Sequence, residues 1–216
     1  MIIEYFGHSC FKICDDERSI VFDPFGNIGY DTPMLAADYC VCSHEHYDHY
    51  AFDRVAGAAL VTDKNAAKFP FLRAIETSHD ECGGRKRGKN AVFVYRSSDG
   101  LTFCHMGDIG EPITDELAEK IGKIDVIAIP VGGNYTIDAE EALRYVEKLK
   151  PETVIPMHYK TRRSNVDVDG KEKFLASFGC DRIKPANRRI EFNSVGGDSS
   201  ADKLIGKVID FDDCAF

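Results

Sequence analysis

Residues His44-Glu45-His46-Tyr47-Asp48-His49 put four metal-ligating side chains within six positions, directly after the apolar run Tyr39-Cys40-Val41-Cys42-Ser43. A strand that ends in such a cluster has to deliver it where further ligands converge. That requirement constrains the fold more than any other part of the chain. His44 and His46 are two apart at a strand end, so their side chains can point the same way and pair on one ion. Asp48 and His49 lie past the turn and can reach a second ion. Imidazole and carboxylate without thiolate suit Zn, Mn or Fe. A solvated polar loop is the alternative, and it leaves the spacing unexplained.

Three distant residues are candidates to close the two sites. Asp108 ends His105-Met106-Gly107-Asp108, where Gly107 lets the backbone turn after an apolar run; a carboxylate there can bridge two cations and offset their repulsion. His158 follows Val154-Ile155-Pro156-Met157, and His79 opens a polar, Gly-rich loop over residues 79–90. Ligands gathered at the ends of separate strands are the usual layout of a site in an α/β sheet. His105 competes with His79 as a ligand, or serves as a supporting donor or a plain strand residue. His8, after Gly7 between two strands, is either a structural turn residue or a group that contacts substrate.

The surrounding pattern alternates. Residues 2–6, 10–14 and 19–23 read as a β-meander, and residues 39–43 as the strand that carries the cluster. Short helices are expected over 50–56 and 64–69, with a strand over 58–62 between them. Asp99-Gly100 marks a hairpin joining 91–96 to 101–105. A helix over 114–121 has Thr114 as its N-cap. A strand over 124–129 precedes the clearest helix, 138–150, which has acids in its first turn, lysines at its end, and Ala142, Leu143, Val146 and Leu149 on one face. A strand over 153–156, a helix over 170–178 and a strand over 188–192 follow. The segment after Gly196 has no clear pattern. The whole reads as one α/β domain over residues 1–216, with two sheets or one mixed sheet.

Size and composition bound the rest. A 216-residue chain can bury a full core without covalent staples. No apolar run reaches the roughly 20 residues that span a bilayer, and the N-terminus reads as a strand, so a cytoplasmic location is expected. The eight cysteines are expected to be free and mostly buried thiols; Cys82, beside His79, is harder to place. A net charge of -9 disfavours general nucleic-acid binding, although two divalent ions would make one spot strongly positive. The basic run Arg85-Lys86-Arg87-Gly88-Lys89 is either a solvated loop or an anchor for a substrate phosphate or carboxylate.

The cluster resembles the metal motif of the metallo-β-lactamase superfamily. More narrowly, Gly7-His8-Ser9-Cys10-Phe11, Phe22-Asp23-Pro24-Phe25, Gly107-Asp108 and Pro156-Met157-His158-Tyr159 resemble a bacterial branch of metal-dependent hydrolases that includes ascorbate-phosphate lactonase-like enzymes. The likeness runs from about residue 2 to residue 160. It implies a four-layer αββα sandwich of two mixed sheets. It implies one divalent ion on His44, His46 and His79 and a second on Asp48, His49 and His158, with Asp108 bridging and Asp23 supporting the site from behind. Zn is the expected metal, with Mn and Fe also compatible. The expected activity is hydrolysis of an ester, lactone, amide or phosphodiester bond in a small, anionic or neutral substrate. A metal-activated water attacks, with Asp48 and His8 as the catalytic side chains. Alternatives are a nucleotide phosphodiesterase or nuclease, or a non-catalytic metal-binding module. A di-iron oxidoreductase is disfavoured because His46 stands where such proteins carry Glu. No nucleic-acid or membrane partner is expected, and homo-oligomerisation stays open.

Overall fold

The computed structural model describes residues 1–192 and 207–212. The opening alternation forms an antiparallel meander of β1 (Ile2–Tyr5), β2 (Phe11–Cys14) and β3 (Ser19–Phe22). Then come β4 (Leu35–Ala36), β5 (Tyr39–Val41), β6 (Val55–Ala56) and β7 (Ala59–Val61). The second half supplies β8 (Leu72–Ser78), β9 (Lys89–Arg96), β10 (Thr102–His105), β11 (Val126–Pro130) and β12 (Thr153–Met157). The last strands are β13 (Ile183–Ala186), β14 (Arg189–Glu191) and β15 (Lys207–Phe211). The helices are α1 (Asp115–Ile121), α2 (Ala139–Leu149) and α3 (Glu172–Leu175).

Two mixed sheets result. One has the order β14-β1-β2-β3-β5-β7 and the other β13-β15-β12-β11-β10-β9-β8, with β4 and β6 forming a small separate pair. The sheets meet through aromatic side chains. Phe103 of β10 lies 5.8 Å from Phe11 and 5.6 Å from Phe22, ring to ring, and Tyr5 lies 5.2 Å from Phe211. These rings are fully or almost fully buried, and each contributes about 1.5–3 kcal/mol from burial. Strands β11 and β12 are buried along their whole length, as parallel strands covered on both faces must be. Two mixed sheets packed face to face agree with the sandwich that the sequence resemblance implies. Among the described residues, no helix is long and apolar enough to cross a membrane.

The helices follow their local chemistry. Thr114 caps α1 by accepting from the Leu117 N–H at 3.1 Å. Asp138 lies outside α2 as its N-cap and accepts from the N–H groups of Glu140 and Glu141 at 3.0 and 2.9 Å. The buried face of α2 is Ala139, Ala142 and Tyr145, while Leu143, Val146 and Leu149 are only partly covered. The expected apolar face does pack against the core, and Tyr145 widens it by turning inward, where its hydroxyl donates to the Glu111 carbonyl at 2.9 Å.

Four expectations need correction. The helices expected over 50–56 and 64–69 are single 3₁₀ turns at Phe52–Arg54 and Ala66–Lys68. In the first, β-branched Val55 pairs instead with Leu35 in a strand. In the second, the Asn65 side chain bonds Thr62 N and Leu60 O, tightening the turn, and Pro70 forces its predecessor to extend. The helix expected over 170–178 is the four-residue α3. The segment after Gly196 contains β15, while residues 196–206 and Cys214 lie outside the described residues. The other seven cysteines are free thiols.

Candidate metal centre

The residues that matter all follow the ends of strands that point the same way. His8 lies between β1 and β2, and Asp23 directly follows β3. His44, His46, Asp48 and His49 follow β5, His79 follows β8, Asp108 follows β10 and His158 follows β12. Three of these residues, His8, Asp23 and His158, are non-glycine residues with left-handed φ angles of 52°, 42° and 50°. Each such conformation costs about 1–3 kcal/mol and persists only where its surroundings enforce it. Here the enforcement is visible: the His8 carbonyl accepts from His158 N at 2.9 Å and from the Tyr5 hydroxyl at 3.0 Å.

The ligating atoms form three overlapping groups: His44, His46 and His79; His8, Asp48, His49 and His158; and His44, His49 and Asp108. Within each group the atoms lie within 4.8 Å of one another. Asp108 joins them. Its carboxylate oxygens are 3.1 Å from His49 Nε2, 3.2 Å from His79 Nε2, 3.2 Å from His158 Nε2 and 3.9 Å from His44 Nε2. All seven predicted ligands, and His8 with them, are thus in one place. Two nitrogens on one tetrahedral zinc, each at about 2.0–2.1 Å from it, stand roughly 3.3 Å apart, so these separations suit shared ions.

Hydrogen bonding behind the rings fixes which nitrogen faces inward. Asp23 accepts from Ser43 N at 2.7 Å, Ser43 Oγ at 2.6 Å and His49 Nδ1 at 2.8 Å. With its proton on Asp23, Ser43 Oγ is left to accept from His44 Nδ1 at 2.9 Å. His79 Nδ1 donates to the Tyr135 carbonyl at 3.1 Å. These partners assign Nε2 of His44, His49 and His79 to the interior. There, buried His8 Nε2, His49 Nε2 and Asp108 Oδ1 have no aligned hydrogen-bond partner among the described residues. Buried polar atoms without partners are costly, and convergent imidazoles and carboxylates are the donor set a divalent cation would satisfy.

Electrostatics agree. Burial, with His49 beside it, lowers His44 to about 3, and burial with His158 beside it lowers His8 to about 4. Burial and neighbouring His79 also lower His46. Burial opposes charge on Asp108, but His158 and His49 hold it well below the usual carboxylate range. Burial likewise opposes charge on His49, yet Asp108 and Asp23 on its two sides raise it well above the usual imidazole value. His79 rises for the same reason, through Asp108. For Asp48 the burial cost is outweighed by His8 and His49, which lower it.

Comparison with known proteins now bears on the chain. The β-lactamase superfamily domain matches residues 2–158, most of the chain and every ligand named above. The chain belongs to the β-lactamase superfamily. Its metal-dependent hydrolase class is shared with named relatives. A UPF0173 metal-dependent hydrolase of Methanosphaera stadtmanae is 30% identical over 200 residues, covering 74% of this chain and 85% of that one. Another, from Carboxydothermus hydrogenoformans, is 29% identical over 194 residues, with coverage of 74% and 85%. A Thermotoga maritima crystal structure, assigned as a Zn-dependent hydrolase of the metallo-β-lactamase superfamily, superposes with a TM-score of 0.72 at 28% identity, covering 97% of each chain.

Within this superfamily member, His105 is not part of the cluster. Its Nε2–H donates to the Ser9 carbonyl at 2.8 Å, and its Nδ1 accepts from Gly107 N at 3.1 Å. Both nitrogens are used, and the ring ties the His8 loop to the Asp108 turn. Two supports escape sequence reasoning. Buried Asn90 accepts from Asp108 N at 2.9 Å and donates to Met106 O and Thr77 Oγ1, each at 2.9 Å. Buried Asp80 accepts from the N–H groups of Cys82, Gly84, Lys86 and Arg87 at 2.8–2.9 Å, shaping the loop that follows His79. The signal for Asn90 was present: a lone amide opening an apolar run needs partners. A cavity of about 540 Å³ opens over the cluster, walled by Tyr47, Arg87, Tyr135 and Val166 among others.

Proposed function

We propose that the protein is a dinuclear hydrolase that cleaves an ester, lactone, amide or phosphodiester bond in a small molecule. Support comes from one observation above all: two groups of converging ligating atoms, all buried but His46, meet at Asp108. His44, His46 and His79 would hold one ion. Asp48, His49 and His158 would hold the other, with Asp108 shared. Zn fits this donor set, and Mn and Fe fit it too.

When bound, such a pair of ions lowers the pKa of water toward neutrality and polarises the scissile bond. The protein's own groups do the rest. Asp48 is the proposed acceptor that orients the attacking water. His8 Nε2 stands 3.4 Å from Asp48 Oδ2, and its lowered pKa keeps it a neutral partner that steadies this carboxylate. Asp23 and Tyr135 fix the rings from behind, so no reorganisation is needed at the moment of reaction. A cavity of about 540 Å³ lies within the range of small-molecule sites.

Elemental analysis of the purified protein, combined with a hydrolysis screen over aryl esters, lactones and a bis-aryl phosphate, tests this reading. Two equivalents of divalent metal are expected, with Asp108→Ala losing both metal and turnover. An Asp108→Ala protein with full metal content and full rate would falsify the shared-carboxylate assignment.

A further inference from the structure

The basic run 85–89 carries four cations, and the structure separates them. Lys86 pairs with Glu81, Lys89 lies 3.3 Å from Glu76, and Arg85 donates through Nε to the Cys82 carbonyl at 3.0 Å. Arg87 alone of the four lines the cavity over the metal centre. Its guanidinium has no carboxylate partner among the described residues; it lies over the Tyr135 ring, 5.1 Å from the centroid. A partly exposed guanidinium on a cleft wall, without a carboxylate partner among the described residues, has donors to offer an anionic ligand.

Its placement is preorganised. The Arg87 backbone N–H is one of the four that Asp80 accepts, at 2.8 Å. Gly84 and Gly88 take left-handed φ angles of 82° and 90°, and a side chain at Gly84 would lie 2.6 Å from the Gly88 carbonyl oxygen. The loop is therefore closed by a carboxylate knot that leaves the Arg87 side chain aimed at the cleft. Tyr135 serves two neighbours at once: its carbonyl orients His79 and its ring carries Arg87. Tyr135 and Tyr47 are two of the three exposed large hydrophobic side chains among the described residues, and both flank this cavity. A larger cavity of about 610 Å³, walled by Lys160, Lys171 and Asp210, makes a poor rival. Two of its three cations are engaged: Lys171 Nζ lies 2.7 Å from Asp210 Oδ1, and Lys160 Nζ donates to the Val166 carbonyl at 2.7 Å, while the third, Arg162, is exposed and the cavity lies away from the candidate metal centre.

We propose that Arg87 recognises an anionic oxygen group, carboxylate or phosphate, on the substrate, whose body lies between Tyr47 and Tyr135 while its scissile bond faces the metals. A planar guanidinium offers such a group two parallel N–H donors. This inference rests on the hydrolase reading for the word substrate, but its binding claim stands apart from turnover.

The test uses metal-loaded protein, with metal content checked for every variant. Calorimetric titrations with acetate, succinate and phosphonoacetate compare wild type, Arg87→Met and Lys86→Met. Wild type and Lys86→Met should bind a dianion at least about tenfold more tightly than acetate, and Arg87→Met should lose that preference. Loss confined to succinate identifies a carboxylate, and loss confined to phosphonoacetate a phosphate. In parallel, the kcat/KM ratio of 4-nitrophenyl hydrogen succinate to 4-nitrophenyl acetate should fall at least about tenfold in Arg87→Met, through KM. A dianion preference that is absent from wild type, or survives intact in Arg87→Met, overturns the proposal. Failure to hydrolyse either ester counts against the hydrolase reading while the titrations still decide the role of Arg87.

Discussion

Asn90→Ala isolates the support beneath the bridging carboxylate. Asn90 is 2% exposed, and its truncation strands the Asp108 N–H and the Met106 carbonyl in a buried place. Each stranded group costs about 1–3 kcal/mol, and with about 1 kcal/mol for the lost Thr77 contact the sum is about 3–7 kcal/mol. For a chain of this length, at about 2–4 °C per kcal/mol, that lowers Tm by roughly 6–28 °C. The turn holding Asp108 also loosens, and losing such an outer partner typically weakens metal binding about 10–100-fold. Thr77→Val is the matched control. It removes the Thr77 hydroxyl's bonds with Asn90 but leaves the Asp108 N–H bonded. Thermal melts should show both variants destabilised, and chelator competition should show weakened metal binding in Asn90→Ala alone. Equal metal affinity in the two variants would refute the idea that Asn90 positions Asp108.

Two predictions concern protons. His49 and His79 have raised pKa values, so metal binding has to displace protons from them. Affinity should fall as pH falls through neutrality, and calorimetry at pH 7 in buffers of different ionisation enthalpy should register proton release; identical heats in all buffers would contradict this. Asp15 is a carboxylate whose burial cost is outweighed by the Tyr95 hydroxyl and the N–H groups of Ser98, Glu17 and Arg18, so its pKa is lowered. A lowered folded pKa gives stability that is present above the unfolded value near 3.9 and lost as pH falls through the folded one. Asp15→Asn should therefore be less stable than wild type at pH 7 and converge with it in acid, as read from urea melts across pH.

The candidate ligands that the fold brings together could be picked out because each announces itself locally: a histidine or aspartate placed just where a strand stops. His44, His79, Asp108 and His158 could be found one at a time, without knowing which strand neighbours which. The partners of the two supports could not. Asn90 matters because β9 runs antiparallel to β8 and β10, which brings its amide to Thr77 and Met106. Asp80 matters because the chain returns on it four times within seven residues. Long, capped elements such as α2 were read correctly to within a residue at each end. The short ones failed where a single side chain chose the outcome, as Asn65 does in tightening its turn and Val55 does in pairing with Leu35. The apolar face of α2 was read without Tyr145, which, polar at its tip, is buried because it finds a carbonyl to satisfy it.

The strand ends that compose the centre are scattered from His8 to His158. No short stretch of the nascent chain holds all seven candidate ligands, so the complete proposed site can form only once one sheet has closed upon the other. Ions that bind only at that stage would act on the rate of escape from the native state and leave the rate of reaching it nearly untouched. Chelation should accordingly shorten the lifetime of the folded protein far more than metal supplied during refolding hastens its birth.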